Sequence, residues 1–233
     1  MKGEKKKRRG GRKFHLINSG MKAPPRADLW SEKLEKSDMV LVIACGALAK
    51  EITVLTRLNN WTHIKTRFLP AKLHNEPQKI TEQLRKNLIN ARNKFSQIFV
   101  GYADCGTGGQ LDSLLDEFGI QRLPGAHCYE FFSGSQSFTD MVEDEPGSFF
   151  LTDFLVKSFD KLIWHGLKIN SHPELKEMYF KNYKKLVYLG QTENPDLQTQ
   201  ASEIAERLGL TYEYRFTGYG ELSTSLSVLT ATG

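Results

Sequence analysis

The stretch Met39–Leu58, MVLVIACGALAKEITVLTRL, decides the fold class. Met39–Ala44 is a short, unbroken apolar run, the pattern of a strand covered on both faces. Cys45-Gly46 ends that run, and Leu48, Ile52, Leu55 and Leu58 then recur at helical spacing. A buried strand, a tight turn and an amphipathic helix in succession are the first half of a βαβ unit.

The same alternation runs outward from this stretch. HIKTRFL (63–69) predicts a second strand, a helix is expected from Gln78 to Phe95, and QIFVGYA (97–103) predicts a third strand. DCGTGG leads into a helix carrying Leu111, Leu114, Leu115 and Phe118; a short IQRL precedes PGAHCYEFFSG; SFFLTDFLV begins as strand and continues as helix. KLVYLGQ (185–191), a helix over Pro195–Leu208, TYEYRF (211–216) and the turn TGYGE complete the series. The expected fold is α/β, with a mainly parallel sheet, helices on both faces, and MVLVIA and QIFVGYA at its centre. The expected organisation is a basic tail over 1–20, a lead-in over 21–37 and a single α/β domain over 38–233. Strand, Cys, Gly and helix follow one another twice, at 45–46 and 105–106, which admits two similar halves.

A chain of 233 residues that is 39% hydrophobic and 25% charged can bury a core, which excludes collagen, coiled coil and disorder over the whole length. The net charge of +5 is local. Residues 1–13 hold eight Lys/Arg and one Glu; taken from the totals of 32 and 27, these leave 24 basic and 26 acidic residues, so the body is mildly acidic. The tail is expected to be a solvated, disordered arm, and salt-sensitive contact with RNA or anionic lipid falls to it alone; no nucleic acid is expected on the body. FHLINSGMKAPP after the tail lacks the apolar core of a secretory signal, and the apolar run Met39–Ala49 is too short to span a bilayer. A soluble, cytoplasmic protein without a membrane span is expected.

In an open parallel sheet, ligands bind beyond the carboxyl ends of the strands, where βα loops meet helix N-termini. Cys45, Cys105 and Cys128 all stand in such positions, in VIACG, YADCG and GAHCY. Three is an odd number for a disulfide framework. If the strands are neighbours, the three thiols converge as metal ligands with one position open, the pattern of a catalytic zinc site; an iron–sulfur cluster is the other candidate. The competing reading is that buried Cys is common core filler, and no CxxC spacing is present.

His127, Tyr129 and Glu130 flank Cys128 and are candidate acid/base groups, with His127 also a candidate fourth ligand and Asp104 a further catalytic candidate. DCGTGG, with Thr107, Gly108 and Gly109, and TGYGE, with Thr217, Gly218, Tyr219 and Gly220, are expected to bind an anionic substrate or cofactor group, together with Gly46 and Gln191. Neither loop is a dinucleotide or nucleoside-triphosphate fingerprint. His74-Asn75, Asp153 and Thr192 fall at loop or strand-end positions where a cap or surface role is the more common.

VIACGALAKEI, FLPAKLHNEP, VGYADCGTGG, LPGAHCYEFFSG, EPGSFFLTDFLV, LVYLGQT and TGYGEL, spanning positions 42–222, carry a resemblance to the domain-of-unknown-function family sixteen thirty-eight. That family has no established activity. Its members are often encoded near corrinoid-dependent methyltransferases, so the resemblance implies one-carbon metabolism, with corrinoid or methyltransferase proteins as partners. A thiolate-held zinc that binds an acceptor sulfur would suit this setting. Three functions therefore stand side by side. One is a three-cysteine metalloenzyme or accessory protein acting on a small molecule. The second is a non-catalytic ligand- or partner-binding module with packed cysteines. The third is a thiol enzyme pairing one Cys with His127.

Overall fold

Among the described residues, six strands, all in parallel pairings, form two separate three-stranded sheets. The computed structural model describes residues 37–230; the expected tail, and all of the lead-in except Ser37, lie outside the described residues. The first sheet has β1 (Ser37–Cys45) between β2 (Ile64–Leu69) and β3 (Phe95–Gly101). The second has β5 (Lys185–Gly190) between β4 (Ser148–Thr152) and β6 (Thr211–Phe216). The α/β expectation holds, with the parallel strands shared between two sheets instead of one.

QIFVGYA was expected at the centre and is instead at an edge. Its outer side still has partners, because Val100 N donates to Gln121 O at 3.1 Å and Leu123 N donates to Val100 O at 3.1 Å. IQRL thus pairs beside β3 without forming a full strand.

Helices cover the strands through narrow apolar stripes. In α1 (Ala49–Leu58), Ile52 and Leu55 are buried, while Leu58, at its last turn, points to solvent. In α2 (Gln78–Ala91), Ile80, Leu84, Leu88 and Ala91 are fully buried. This helix stops short of the expected Phe95, which opens β3. Next come α3 (Gln110–Phe118), the single turn α4 (Glu130–Ser133), α5 (Ser135–Asp144), α6 (Asp153–Phe159) and α7 (Glu174–Phe180). A π-helical turn, Asp160–Trp164, continues α6. α8 (Pro195–Leu208) has the bounds expected from sequence: Asn194 Oδ1 accepts from Asp196 N and Leu197 N, Pro195 sits where no N–H is needed, and Gly209 ends the helix in the left-handed region.

Each sheet has its own apolar core. The last helix, α9 (Gly220–Thr230), follows β6 of the second sheet, packs on α4, and buries Leu222 and Leu226 in the first core. Gly220 makes this return possible: at φ 44°, a Cβ there would lie 2.2 Å from Phe132 O. No helix among the described residues is long and apolar enough to cross a membrane.

Candidate metal centre and pocket

The carboxyl ends of β1, β2 and β3 bring the chemistry together. Cys45 is the last residue of β1; its sulfur accepts from Ala47 N at 3.3 Å, which closes the turn into α1. Beside it, β2 ends at Leu69 and a 3-10 turn, Ala71–Asn75, presents His74. The His74 nitrogens lie 3.8 and 3.9 Å from Cys45 Sγ. With the proton placed on Nδ1, His74 donates to Ala71 O at 3.0 Å and Nε2 keeps its lone pair, the arrangement that orients a ligating imidazole.

Past β3, Asp104 N donates to Gly125 O and Cys105 N to Ala126 O, so the two loops run side by side. Cys105 adopts φ 51°, unusual for a residue with a side chain. This pairing carries Cys128 to Cys105, with the sulfurs 3.0 Å apart. All three thiols are free and buried. Cys45, His74 and Cys128 each offer a ligand atom within 4.8 Å of the others.

The three expected thiols therefore do gather, and the structure adds His74, which the sequence reading placed among caps and surface residues. The donors are soft sulfur and imidazole nitrogen, the set that zinc favours and one short of the four thiolates usual around an iron–sulfur cluster. Cys105 is pushed up by its hydrogen bond with Cys128 and by burial. For Cys128, the bond with Cys105 favours the thiolate, but Cys45 and burial outweigh it and the group is raised. Burial opposes charge on His74, yet the sulfurs of Cys105 and Cys128 push it up to about 10. A buried group of thiols that resist ionising together gains most from a bound cation. Tyr102, stacked on His74 with ring centroids 6.2 Å apart, places a buried hydroxyl in this group beside Cys45.

The other candidates are accounted for locally. Asp104 Oδ1 accepts from Thr107 Oγ1 at 2.6 Å and from Gly109 N at 3.0 Å, and its Oδ2 accepts from Gly108 N. The N–H groups expected to cradle an anion in DCGTGG thus serve the loop's own carboxylate. Glu130 Oε1 accepts from Ala126 N and His127 N, both at 2.9 Å, so this carboxylate ties down the Cys128 turn. Gly46 is required by close packing, since a Cβ there would lie 2.8 Å from Leu69 O. His127 is not in the ligand group; it stacks on Tyr129 at 4.9 Å, and burial lowers its pKa.

TGYGE and Gln191 stand at the second sheet. Thr217 N and Gly218 N both donate to Gly190 O. The Gln191 side chain accepts from Asp153 N and donates to Leu189 O. Asp153, fully buried, accepts from Tyr188 OH at 2.7 Å, Gln191 N at 2.9 Å and Thr192 Oγ1 at 2.5 Å. These groups lock the ends of β4, β5 and β6 together. Tyr219 packs half-buried against the first core.

A cavity of about 220 Å³ opens on the thiol group. His74, Cys105 and Cys128 form its inner end, His127 and Tyr129 part of its side, and Phe154, Leu155, Leu162 and Ile163 its outer wall. It lies between the strand ends of the first sheet and α6, which agrees with a site built from βα loops.

A family model described as "Protein of unknown function (DUF1638)" matches residues 68–226. No match was found among curated proteins or among solved structures.

Proposed function

This chain belongs to the DUF1638 family, and we propose that it is a metal-dependent protein in which Cys45, His74 and Cys128 hold a zinc-class ion at the inner end of the apolar cavity. The observation that carries this reading is the convergence of these ligand atoms, from the end of β1, the 3-10 turn after β2 and the segment between α3 and α4, to within 4.8 Å of one another. A zinc ion held by three protein ligands supplies Lewis acidity that keeps a substrate thiol ionised and nucleophilic near neutral pH. Cys105 lines the inner end of the cavity against Cys128. His127, also on the wall, is placed to exchange a proton with a bound substrate.

The finer reading is a role in methyl-group metabolism, with a small thiol as acceptor and a corrinoid or methyltransferase protein as the partner that brings the methyl group. It is supported by the soft donor set and by the setting that the family resemblance implies.

Metal uptake tests the reading. Anaerobically purified protein is expected to take up about one equivalent of zinc or cobalt, and Cys45→Ser, His74→Ala and Cys128→Ser to fall below about 0.2 equivalents with unchanged circular dichroism. Uptake that is indifferent to all three substitutions would reject it.

One observation favours a second reading: with the proton on Nδ1, His74 Nε2 stands 3.9 Å from Cys45 Sγ, which also suits a thiol nucleophile with its base. Stoichiometric alkylation of Cys45 alone, in protein that takes up no metal, would select it. His127 is the partner expected for such a thiol from sequence, and His74 is the imidazole that approaches Cys45.

A further inference from the structure

We propose that the cavity takes an uncharged ligand with an apolar body and a soft head, a small alkyl or aryl thiol or thioether, and discriminates against anionic thiols. This rests on the metal reading for the head of the ligand and on the cavity alone for its body. At the inner end are sulfur and imidazole groups. The outer wall is Phe154 and Leu155 of α6 with Leu162 and Ile163 of the π-helical turn. Among the described residues lining the cavity there is no Lys, Arg, Asp or Glu.

Two polar side chains reach the outer part, and each makes one hydrogen bond of its own. Asn75 Nδ2 donates to Leu162 O at 3.2 Å, and Thr152 Oγ1 accepts from Leu155 N at 3.3 Å. A carboxylate or sulfonate on the body of the ligand, held away from His74 at the inner end, would leave water and meet no Lys or Arg side chain on the wall. Gly108 N and Gly109 N donate to Asp104, and Thr217 N and Gly218 N to Gly190 O, so these N–H groups do not offset such a charge. At about 220 Å³ the cavity is also below the roughly 300–1,000 Å³ of sites for drug-sized ligands, so the body is small.

The test compares butanethiol and its methyl thioether with mercaptopropionate and mercaptoethanesulfonate, by calorimetry on metal-free and zinc-loaded protein and by the visible spectrum of cobalt-loaded protein. The neutral pair is expected to bind at least about tenfold more tightly than the anionic pair. The thioether is expected to bind metal-free protein as well, since its body needs only the apolar wall. Leu162→Lys, at the half-buried outer wall, is expected to leave metal uptake unchanged and reverse the preference.

Equal or tighter binding of the anionic thiols by the unsubstituted protein would overturn the proposal. So would a neutral preference that persists in L162K with metal uptake intact. Failure of metal uptake with retained thioether binding would count against the metal reading and leave the cavity assignment standing.

Discussion

His74 and His127 illustrate what single residues do and do not disclose. His127 adjoins Cys128 in sequence, which made it the natural candidate ligand. The chain turns into α4 just after Cys128, and His127 lines the cavity stacked on Tyr129, outside the group of mutually close ligand atoms. His74 is 54 residues from Cys128, and its only sequence signal was its place after β2 at the same kind of strand end as the three thiols. Cys105 is the thiol whose role a substitution can separate. Because the mutually close group is Cys45, His74 and Cys128, Cys105→Ser is expected to keep about one equivalent of zinc where Cys128→Ser loses it, measured by metal analysis after gel filtration. In metal-free protein, its 3.0 Å approach to Cys128 makes that pair the one to oxidise. A small disulfide oxidant is expected to take two electrons and two protons from the pair and be reduced to its thiols, leaving a Cys105–Cys128 crosslink in peptide maps. Cys45 is expected to stay free, and zinc to block the reaction. A crosslink to Cys45 would refute this pairing.

At the scale of elements, strand and helix positions were largely legible because apolar runs and helical stripes are local properties. Which strands share a sheet was not, since a parallel sheet is assembled by pairings far apart in sequence. QIFVGYA looked central because it is apolar throughout, yet it is an edge strand whose outer side is covered by the Gln121–Leu123 segment. The Gly-rich loops misled for a related reason. Their glycines suggested ligand approach, but Gly46 and Gly220 are needed where backbone meets backbone. The π-helical turn forms part of the cavity's outer wall and is tied to the His74 turn by the Asn75 side chain, and such turns recur at functional sites. Asn75→Ala is expected to cost about 1 kcal/mol of global stability, one ordinary hydrogen bond. It should raise amide exchange in 160–166 more than elsewhere. Unchanged exchange in that segment would show that Asn75 does not hold the wall.

On the scale of the whole molecule, two sheets with two cores could in principle unfold separately, and α9 argues that they do not. It continues from β6, so its position is set by the second sheet, yet Leu222 and Leu226 are buried in the first core beside Phe131 and Phe132 of α4. The start of α9 is held there by Gly220, against the carbonyls of Phe131 and Phe132, and by Glu221, whose carboxylate accepts from Ser135 N and Ser135 Oγ. Removing the Leu226 side chain beyond Cβ leaves a cavity in the first core, at a cost of about 2–5 kcal/mol. If α9 couples the halves, Leu226→Ala lowers the urea midpoint in a single transition with unchanged slope, and slow amides of β1 and β5 lose protection by the same free energy. A Gly220→Ala change, which forces a side chain into a left-handed position against two carbonyls, is expected to act the same way, by about 1–3 kcal/mol or more. Protection lost in β1 but kept in β5 would mean that the cores are independent. The cavity, walled by the strand ends of the first sheet and by α6, would then open with the first core alone, and zinc, bound by the first-sheet loops, would stabilise only that half. Under coupling, zinc raises the protection of both, so the same exchange experiment with and without metal reads the connection from the site outward.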